Sequence, residues 1–409
     1  IKEKEIEEVL SVSGMIDGLV AKGKEALHVL ETFDQETIDE IVHQMSIAGL
    51  DQHMPLAKLA VEETGRGVYE DKCTKNIFAT EYIWHSIKYN KTAGVIGEDE
   101  QAGIVEIAEP IGIVAGVTPV TNPTSTTMFK ALISIKTRNP IIFAFHPSAQ
   151  ESSKRAAEVL YEAAVKAGAP EGCIQWIEKP SIEATKQLMN HKDVALVLAT
   201  GGSGMVKSAY STGKPALGVG PGNVPCYIEK TAKVKRAVND VILSKTFDNG
   251  MICASEQAII VDTEIYDEVR NEFILNNCYF VNKAELKKLE SLVINKDTCA
   301  VNPDIVGKPA TEIAAMAGFE VPADTKILIA ELEGAGPDYP LSREKLSPVL
   351  ACIRVNTTEE GYKACMDMLN LGGLGHSAVI HSTDKDVQLE FGKRMKACRI
   401  MVNAPSAQG

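Results

Sequence analysis

From Ile111 onward, short apolar runs alternate with amphipathic helical patterns, and this alternation limits the possible folds more than any other feature of the sequence. Parallel strands are buried on both faces and are joined by crossovers that are usually helices, so their sequences are apolar almost throughout. Residues 111–117, 141–145 and 194–199 have that composition and precede helical patterns. The chain of 409 residues is too long for one hydrophobic core. We therefore predict an α/β fold with two Rossmann-like parallel-sheet domains.

Residues 93–109 interrupt a helical N-terminal region with two short β-prone runs around a polar, glycine-bounded turn. This pattern predicts a β-hairpin that protrudes from the fold. An isolated hairpin is only marginally stable, so we expect this one to lean on another element or another subunit.

The charge balance and the spacing of cysteines and histidines exclude several functional classes. With 42 basic and 55 acidic residues the net charge is −13, whereas nucleic-acid binding needs concentrated Lys and Arg. Nine cysteines without a C-x-x-C pair and eight histidines without H-E-x-x-H spacing predict reduced thiols, a cytoplasmic protein and no metal site. No apolar run has the length of a membrane span, and no secretory signal opens the chain.

Cys253 lies in a polar connection between a helical pattern that ends near Phe247 and an apolar strand at residues 258–261. Connections of this kind place reactive side chains on a rigid frame. Because free cysteine is among the most frequently buried residue types, an ordinary buried thiol is the alternative.

Other polar segments follow predicted strands, where α/β proteins bind ligands. Residues 201–204, Gly-Gly-Ser-Gly, open a helix and favour either a dinucleotide pyrophosphate or a tight turn. His146 either contacts a ligand or belongs to a helix cap, and Ser148 with Glu151 has the S-x-x-E spacing of a capping box. Asn122 offers an amide donor to an oxyanion, although an Asn-Pro pair is commonly a turn.

Two later residues are also candidates. His376, in Gly-Gly-Leu-Gly-His-Ser, has the chemistry of a base for a thiol, but a lone histidine is commonly structural. Glu344 precedes Lys-Leu-Ser-Pro, and an isolated glutamate is commonly a solvated surface charge.

In this order the segments resemble the aldehyde dehydrogenase superfamily. The resemblance is carried by Thr-Pro-Val-Thr-Asn-Pro from Thr118, His-Pro-Ser from His146, Thr-Gly-Gly-Ser-Gly from Thr200, Gly-Val-Gly-Pro-Gly-Asn from Gly218, Asn-Gly-Met-Ile-Cys from Asn249 and Glu-Lys-Leu-Ser-Pro from Glu344. Longer strings, above all residues 245–257, are similar to the N-terminal, CoA-acylating acetaldehyde dehydrogenase half of bacterial bifunctional aldehyde–alcohol dehydrogenases. The resemblance extends over essentially the whole chain.

The resemblance implies roles for individual residues. Cys253 would be the nucleophile, Asn122 and the Cys253 backbone N–H the oxyanion hole, and His376 an aid to proton transfer or CoA positioning. NAD contacts are implied for Val117, Thr118, Pro119, Val120, Thr121, Asn122, His146, Gly202, Gly220 and Glu344.

The resemblance also implies a domain organisation. It implies an NAD-binding domain at residues 1–92 and 110–226, interrupted by an oligomerisation hairpin at residues 93–109. A catalytic domain, whose Cys253 loop faces the cleft, would follow at residues 227–401, and residues 402–409 would begin a truncated C-terminal segment. We expect a homo-oligomer, a dimer or larger, that forms filaments at full length, with an iron-dependent alcohol dehydrogenase domain following this chain.

Two departures from the family pattern refine the expected reaction. Hydrolytic relatives carry a water-activating glutamate where residues 217–221 here read Leu-Gly-Val-Gly-Pro. Base assistance contributes ~10²–10⁴-fold, so the missing carboxylate favours the thiol of coenzyme A over water as acyl acceptor. His146 stands where NAD(P)-linked relatives usually have lysine, and its smaller imidazole without a fixed charge favours NAD over NADP.

We therefore predict an NAD(H)-dependent, CoA-acylating aldehyde dehydrogenase that interconverts acetyl-CoA with NADH and acetaldehyde with NAD and CoA in fermentative ethanol formation. A hydrolytic aldehyde dehydrogenase and a structural subunit with dehydrogenase ancestry are the alternatives.

Overall fold

A computed structural model describes residues 2–295, 298 and 300–408, with side chains described from Ser11 onward. Cys299, one of the nine cysteines, and Gly409 lie outside the described residues. The chain forms two compact units: unit 1 contains the residues up to Gly65 and Tyr69–Val219, and unit 2 contains Arg66–Val68 and the residues from Gly220 on.

Unit 1 contains nine α-helices and seven strands among its described residues. The helices are α1 Lys2–Leu30, α2 Gln35–Asp51, α3 His53–Thr64, α4 Tyr69–Ile77, α5 Ile83–Ile87, α6 Pro123–Lys136, α7 Gln150–Lys166, α8 Ile182–Asn190 and α9 Ser203–Tyr210. The strands are β1 Gly94–Asp99, β2 Ile104–Ala108, β3 Ile113–Val117, β4 Ile141–Ala144, β5 Ile174–Trp176, β6 Val194–Thr200 and β7 Ala216–Val219.

Five of these strands form a parallel sheet in the order β5-β4-β3-β6-β7. Successive residues point to opposite faces of a strand, so Phe143 and Ile142, both fully buried, belong to separate cores on the two sides of the sheet. The strand order reverses between β3 and β6. Such a switch point opens a crevice at the carboxyl ends of the strands.

Strands β1 and β2 pair antiparallel and apart from that sheet, which confirms the predicted hairpin. Its side chains are mostly exposed, including Val95, Ile104, Val105 and Ile107.

Unit 2 has the same alternation around a larger sheet. Its strands are β8 Val224–Ile228, β9 Glu256–Asp262, β10 Cys278–Phe280, β11 Ile327–Leu332, β12 Val349–Val355, β13 Ser377–His381 and β14 Arg399–Val402. Its helices are α10 Val234–Thr246, α11 Tyr266–Leu275, α12 Lys283–Val293, α13 Ala310–Ala317, α14 Thr358–Met368 and α15 Lys385–Arg394. All strand pairs are parallel, in the order β10-β11-β12-β9-β8-β13-β14.

The predicted α/β class with parallel sheets and a hairpin is therefore confirmed. The predicted capping box at Ser148 is wrong. A 3₁₀ turn at Pro147–Ala149 delays the helix until Gln150, and the side chain of His146 accepts the Ser148 N–H at 3.1 Å. Within the described residues, no helix combines the length and the apolar composition that crossing a membrane requires.

Candidate active site

Unit 1 places its candidate residues at the carboxyl ends of neighbouring strands. Val117 ends β3 beside Ala199 of β6, so the loops that follow these strands leave the sheet side by side at the switch point. The first loop carries residues 118–122 and the second carries Gly202. These are the positions at which open parallel sheets bind nucleotides.

Two helix N-termini begin at this edge. Asn122 is the N-cap of α6 and Gly202 the N-cap of α9, and neither makes a side-chain capping hydrogen bond. Pro123, the first residue of α6, has no N–H, but the other backbone N–H groups in the first turns of the two helices remain available to an anion, which the helix dipole also favours. A Cβ at Gly202 would meet no atom within 4 Å, so the backbone here is open to a ligand.

Two further residues complete this edge. The buried hydroxyl oxygen of Thr118 has no hydrogen-bond partner among the described residues, so this hydroxyl can form a hydrogen bond with a ligand. His146 follows β4 and is exposed, with its Nδ1 engaged by the Ser148 N–H. These residues fit a pyrophosphate-containing nucleotide.

Unit 2 places its candidates at the opposite ends of its strands. Gly222, Cys253, Glu344 and His376 each precede a strand, respectively β8, β9, β12 and β13. These four strands are consecutive neighbours in the sheet. Because they are parallel, their amino ends meet at one edge and bring the four residues together.

A strained turn presents the Cys253 thiol. Asp248, Asn249 and Gly250 have φ of 51°, 51° and 67°, the left-handed region that costs least for Asn, Asp and Gly. The Asp248 carboxylate holds this turn by accepting the Val68 N–H at 2.7 Å, and the Asn249 amide donates to the Gly307 carbonyl at 2.9 Å. Strain of this kind persists only where neighbouring contacts fix it, and it concentrates at active sites.

The thiol and an imidazole are paired. His376 Nε2 lies 3.3 Å from Cys253 Sγ, and both side chains are partly buried. Burial, with the Arg399 guanidinium as a smaller cause, lowers the pKa of His376 to about 4. The imidazole is therefore neutral near pH 7. With its proton on Nδ1, which lies 3.1 Å from the Ser377 hydroxyl, Nε2 is the acceptor that a thiol requires.

Gly222 connects the thiol loop to Glu344. A Cβ at Gly222 would lie 1.7 Å from the Cys253 carbonyl oxygen, so only glycine fits. The Gly222 N–H donates to Glu344 Oε1 at 2.7 Å. Burial raises the pKa of Glu344 to about 7, against the opposing effects of the Gly222 N–H and of Lys245 and Lys345.

Fully buried ionisable side chains lie beneath this edge. Lys345 Nζ donates to the backbone carbonyls of Gln257, Leu341 and Arg343 at 2.9, 2.7 and 2.6 Å, which fixes the segment that carries Glu344. Lys245 donates to the Gln257 amide oxygen at 3.1 Å, and burial lowers its pKa to about 7.

The structure thus gathers Cys253, His376 and Glu344 in unit 2, and residues 117–122 with Gly202 in unit 1. Gly222 and Lys345 were missed from the sequence. The sequence shows only that Gly222 belongs to a glycine-rich run and that Lys345 follows Glu344. It does not show that the Cys253 backbone approaches Gly222 or that the Lys345 side chain is buried. Within the described residues, no cluster of three or more His, Cys, Asp or Glu side chains has the arrangement of a metal site.

Comparison with known proteins gives one family. The sequence pattern described as "Aldehyde dehydrogenase family" matches residues 6–277. An aldehyde-alcohol dehydrogenase of Streptococcus pneumoniae serotype 4 is 55% identical over 401 residues, which cover 96% of this chain and 45% of that protein. This chain thus spans about half the length of the curated relatives that it matches first.

Solved structures show the same likeness. An acetylating aldehyde dehydrogenase from Geobacillus thermoglucosidasius is 47% identical with a TM-score of 0.95, over 98% of this chain and 88% of that one. A propionaldehyde dehydrogenase from Rhodopseudomonas palustris with bound propionyl-CoA is 29% identical with a TM-score of 0.85, over 96% of this chain and 85% of that one.

Proposed function

The chain belongs to the aldehyde dehydrogenase family, and we propose on that premise that it is an NAD-dependent, CoA-acylating acetaldehyde dehydrogenase. The observation that carries the proposal is the Cys253 thiol 3.3 Å from a neutral imidazole, on a strained turn at a strand end. Coenzyme A as the acyl acceptor is supported by the relatives, among them an acetylating aldehyde dehydrogenase and a propionaldehyde dehydrogenase with bound propionyl-CoA.

Unit 1 supports NAD as the redox partner. The uncapped N-termini of α6 and α9 and the buried Thr118 hydroxyl suit its pyrophosphate. Val117, Pro119, Val120, Thr121 and Gly220 would line the same molecule, with His146 near the adenosine ribose and Glu344 on the nicotinamide ribose. Bound NAD supplies the hydride acceptor for aldehyde oxidation. The imidazole of His146, which is smaller than a lysine side chain and lacks its fixed charge, favours NAD over NADP.

Cys253 and His376 perform the covalent step. The thiol passes its proton to His376 Nε2 while the sulfur bonds to the aldehyde carbon, giving a thiohemiacetal. Burial makes the free imidazole a weak base, but a thiolate 3.3 Å away stabilises the imidazolium, so attack and proton transfer proceed together. Asn122 and the Cys253 backbone N–H would stabilise the oxyanion.

The acyl group then leaves as a thioester of CoA. Loss of hydride from the thiohemiacetal carbon leaves a thioester on Cys253. His376 releases the Cys253 proton to solvent before the second half of the reaction. The thiol of CoA then attacks the thioester carbonyl while its proton passes to His376, and this proton returns to the Cys253 thiolate as that thiolate departs. Residues 217–221 carry no carboxylate to activate water, which leaves the intrinsically nucleophilic thiol as the better acceptor.

The biological setting is part of the proposal. This chain matches aldehyde-alcohol dehydrogenases over about half their length, which supports an alcohol dehydrogenase domain elsewhere in the same protein. With such a domain the protein would form ethanol from acetyl-CoA, in the cytoplasm. The exposed hairpin β1–β2 supports a role in homo-oligomer assembly. We assign NAD binding to residues 1–92 and 110–226, and the covalent step to residues 227–401.

One assay tests the proposal. Purified protein is expected to oxidise NADH when given acetyl-CoA, and Cys253→Ala is expected to lose at least ~10³-fold in kcat, because removing a nucleophile removes the covalent route. Cys278→Ser is the control, since Cys278 lies on β10, at the edge of the same sheet and away from the strands that carry Cys253 and His376. Undiminished activity of Cys253→Ala, or acetate formation from acetaldehyde at full rate without CoA, would contradict the proposal.

A further inference from the structure

The side chain of Asn122 has two chemically different ends, and only its NH₂ end can donate to an oxyanion. Its Oδ1 accepts a hydrogen bond from Lys75 Nζ at 2.7 Å, and its Nδ2 faces the Thr121 hydroxyl at 3.2 Å. A lysine ammonium has three donors and no acceptor. The amide end that faces Lys75 must therefore be the oxygen, so Lys75 determines which way the amide points.

Lys75 belongs to a helix that buries its polar side. The three buried residues of α4 are Lys72, Lys75 and Asn76, which lie on one face at i, i+3 and i+4. An apolar face would be buried at much lower cost, because polar groups must be paired when they leave water. The burial of three polar side chains on one helix face therefore calls for a function.

All three side chains contact the turn that carries Asn122. Besides the bond from Lys75, Lys72 Nζ reaches the Thr121 carbonyl at 3.4 Å, and Asn76 Oδ1 accepts the Thr124 hydroxyl at 2.8 Å. Asn76 is also tied to α3 through the His53 carbonyl at 2.9 Å. Helix α4 thus fixes both the backbone of the turn and the orientation of its amide.

We propose that Lys75 is a positioning residue for oxyanion stabilisation, which holds the Asn122 amide so that its NH₂ end, one N–H of which faces the Thr121 hydroxyl, is the donor to the oxyanion, and which polarises that amide. A charged donor on the amide oxygen withdraws electron density from the nitrogen, so its N–H groups donate more strongly. This inference rests on the proposed function, in which Asn122 stabilises the oxyanion of the thiohemiacetal.

The first test compares three substitutions of Lys75. Loss of one oxyanion donor costs ~10²–10³-fold in kcat. Lys75→Met leaves the amide free to turn over and is expected to lower kcat by ~10–10²-fold, with the KM for NAD and CoA unchanged. Lys75→Arg, which also presents only donors, is expected to restore most of this loss. Lys75→Gln, whose amide offers either end, is expected to restore little.

The second test asks whether Lys75 acts through Asn122. In an Asn122→Ala background, Lys75→Met is expected to add less than about twofold to the loss in kcat, because the group it orients is gone. Lys72→Met is the matched control on the same helix face. Lys72 contacts the Thr121 backbone carbonyl instead of the Asn122 amide, so Lys72→Met is expected to change kcat by the same factor in both backgrounds.

The outcomes separate this inference from the proposed function. If Cys253→Ala retains activity, the proposed function fails. If Cys253→Ala is inactive while Asn122→Ala keeps full activity, or if Lys75→Met keeps the kcat of the unmodified protein, the positioning role is overturned alone. Additive losses from Lys75→Met and Asn122→Ala, accompanied by a lower Tm for Lys75→Met, would show a merely structural lysine and overturn it as well.

Discussion

The two units place their candidate residues in opposite ways. Unit 1 uses the carboxyl ends of its strands and offers backbone N–H groups at two uncapped helices, with open space at Gly202. Unit 2 uses the amino ends of its strands and offers side chains, Cys253, His376 and Glu344. The contrast extends to glycine: Gly222 of unit 2 lies against the Cys253 backbone carbonyl and has no room for a Cβ.

The difference follows from the role that we propose for each set of residues. A nucleotide is bound by many weak donors, and strand ends with helix N-termini supply them without any special side chain. A reacting thiol needs one base at hydrogen-bond distance, which requires side chains from several strands to be fixed together. Unit 2 fixes them with fully buried groups such as Lys345, whose ammonium holds three backbone carbonyls.

Replacing Gly222 and Gly202 by alanine should give the largest difference in stability between two variants. Gly222→Ala would force a Cβ against the Cys253 carbonyl, and we expect a loss of about 3 kcal/mol or more in the free energy of unfolding, with loss of activity. Gly202→Ala meets open space and should change stability by only about 0.5 kcal/mol while raising the KM for NAD. Denaturant unfolding and steady-state kinetics measure both. Equal stability of the two variants would contradict the contrast.

Removing the base should give the next largest effect. His376→Ala is expected to lower kcat by ~10²–10⁴-fold and to slow alkylation of Cys253, because the thiol loses its proton acceptor. The KM for NAD should not change, since the nucleotide residues lie mainly in unit 1. His28→Ala, an exposed histidine of α1, is the control. A loss of kcat below about threefold would show that the pairing is structural.

A smaller effect should appear in the pH dependence of NAD binding. The pKa of Glu344 is raised to about 7, so the carboxylate is ionised above this pH and protonated below it. Ribose hydroxyls donate more strongly to the ionised form, so we expect the KM for NAD to rise by about tenfold from pH 8 to pH 6, the value of one charge-assisted hydrogen bond. Glu344→Gln should remove this dependence. A pH-dependent KM that persists in Glu344→Gln would contradict the assignment.

Local sequence pattern indicates the unit 1 candidates more directly than the unit 2 candidates, for a physical reason. A polar segment after an apolar strand is visible as composition, and the rule that ligands bind at carboxyl ends then applies to residues 118–122 and Gly202. No equivalent rule covers amino ends. The distance between Cys253 and His376 depends on the strand order β12-β9-β8-β13, which no local pattern reveals.

Some local features also escaped the sequence. Strand β7 lies in a glycine-rich segment with Pro215 before it and Pro221 after it, where composition indicates a loop. Its pairing with β6 overrides that preference. The capping box at Ser148 was displaced because the Glu63 carboxylate of α3 accepts the N–H of Glu151, an interaction between residues far apart in sequence.

The most direct test of the account is transfer of an acetyl group to the enzyme without any redox step. Protein incubated with acetyl-CoA alone should gain the mass of one acetyl group, and peptide mapping should locate it on Cys253. His376→Ala should gain it much more slowly, and Cys253→Ala should not gain it. Absence of the adduct in the unmodified protein, or an acetyl group on another cysteine, would contradict the account.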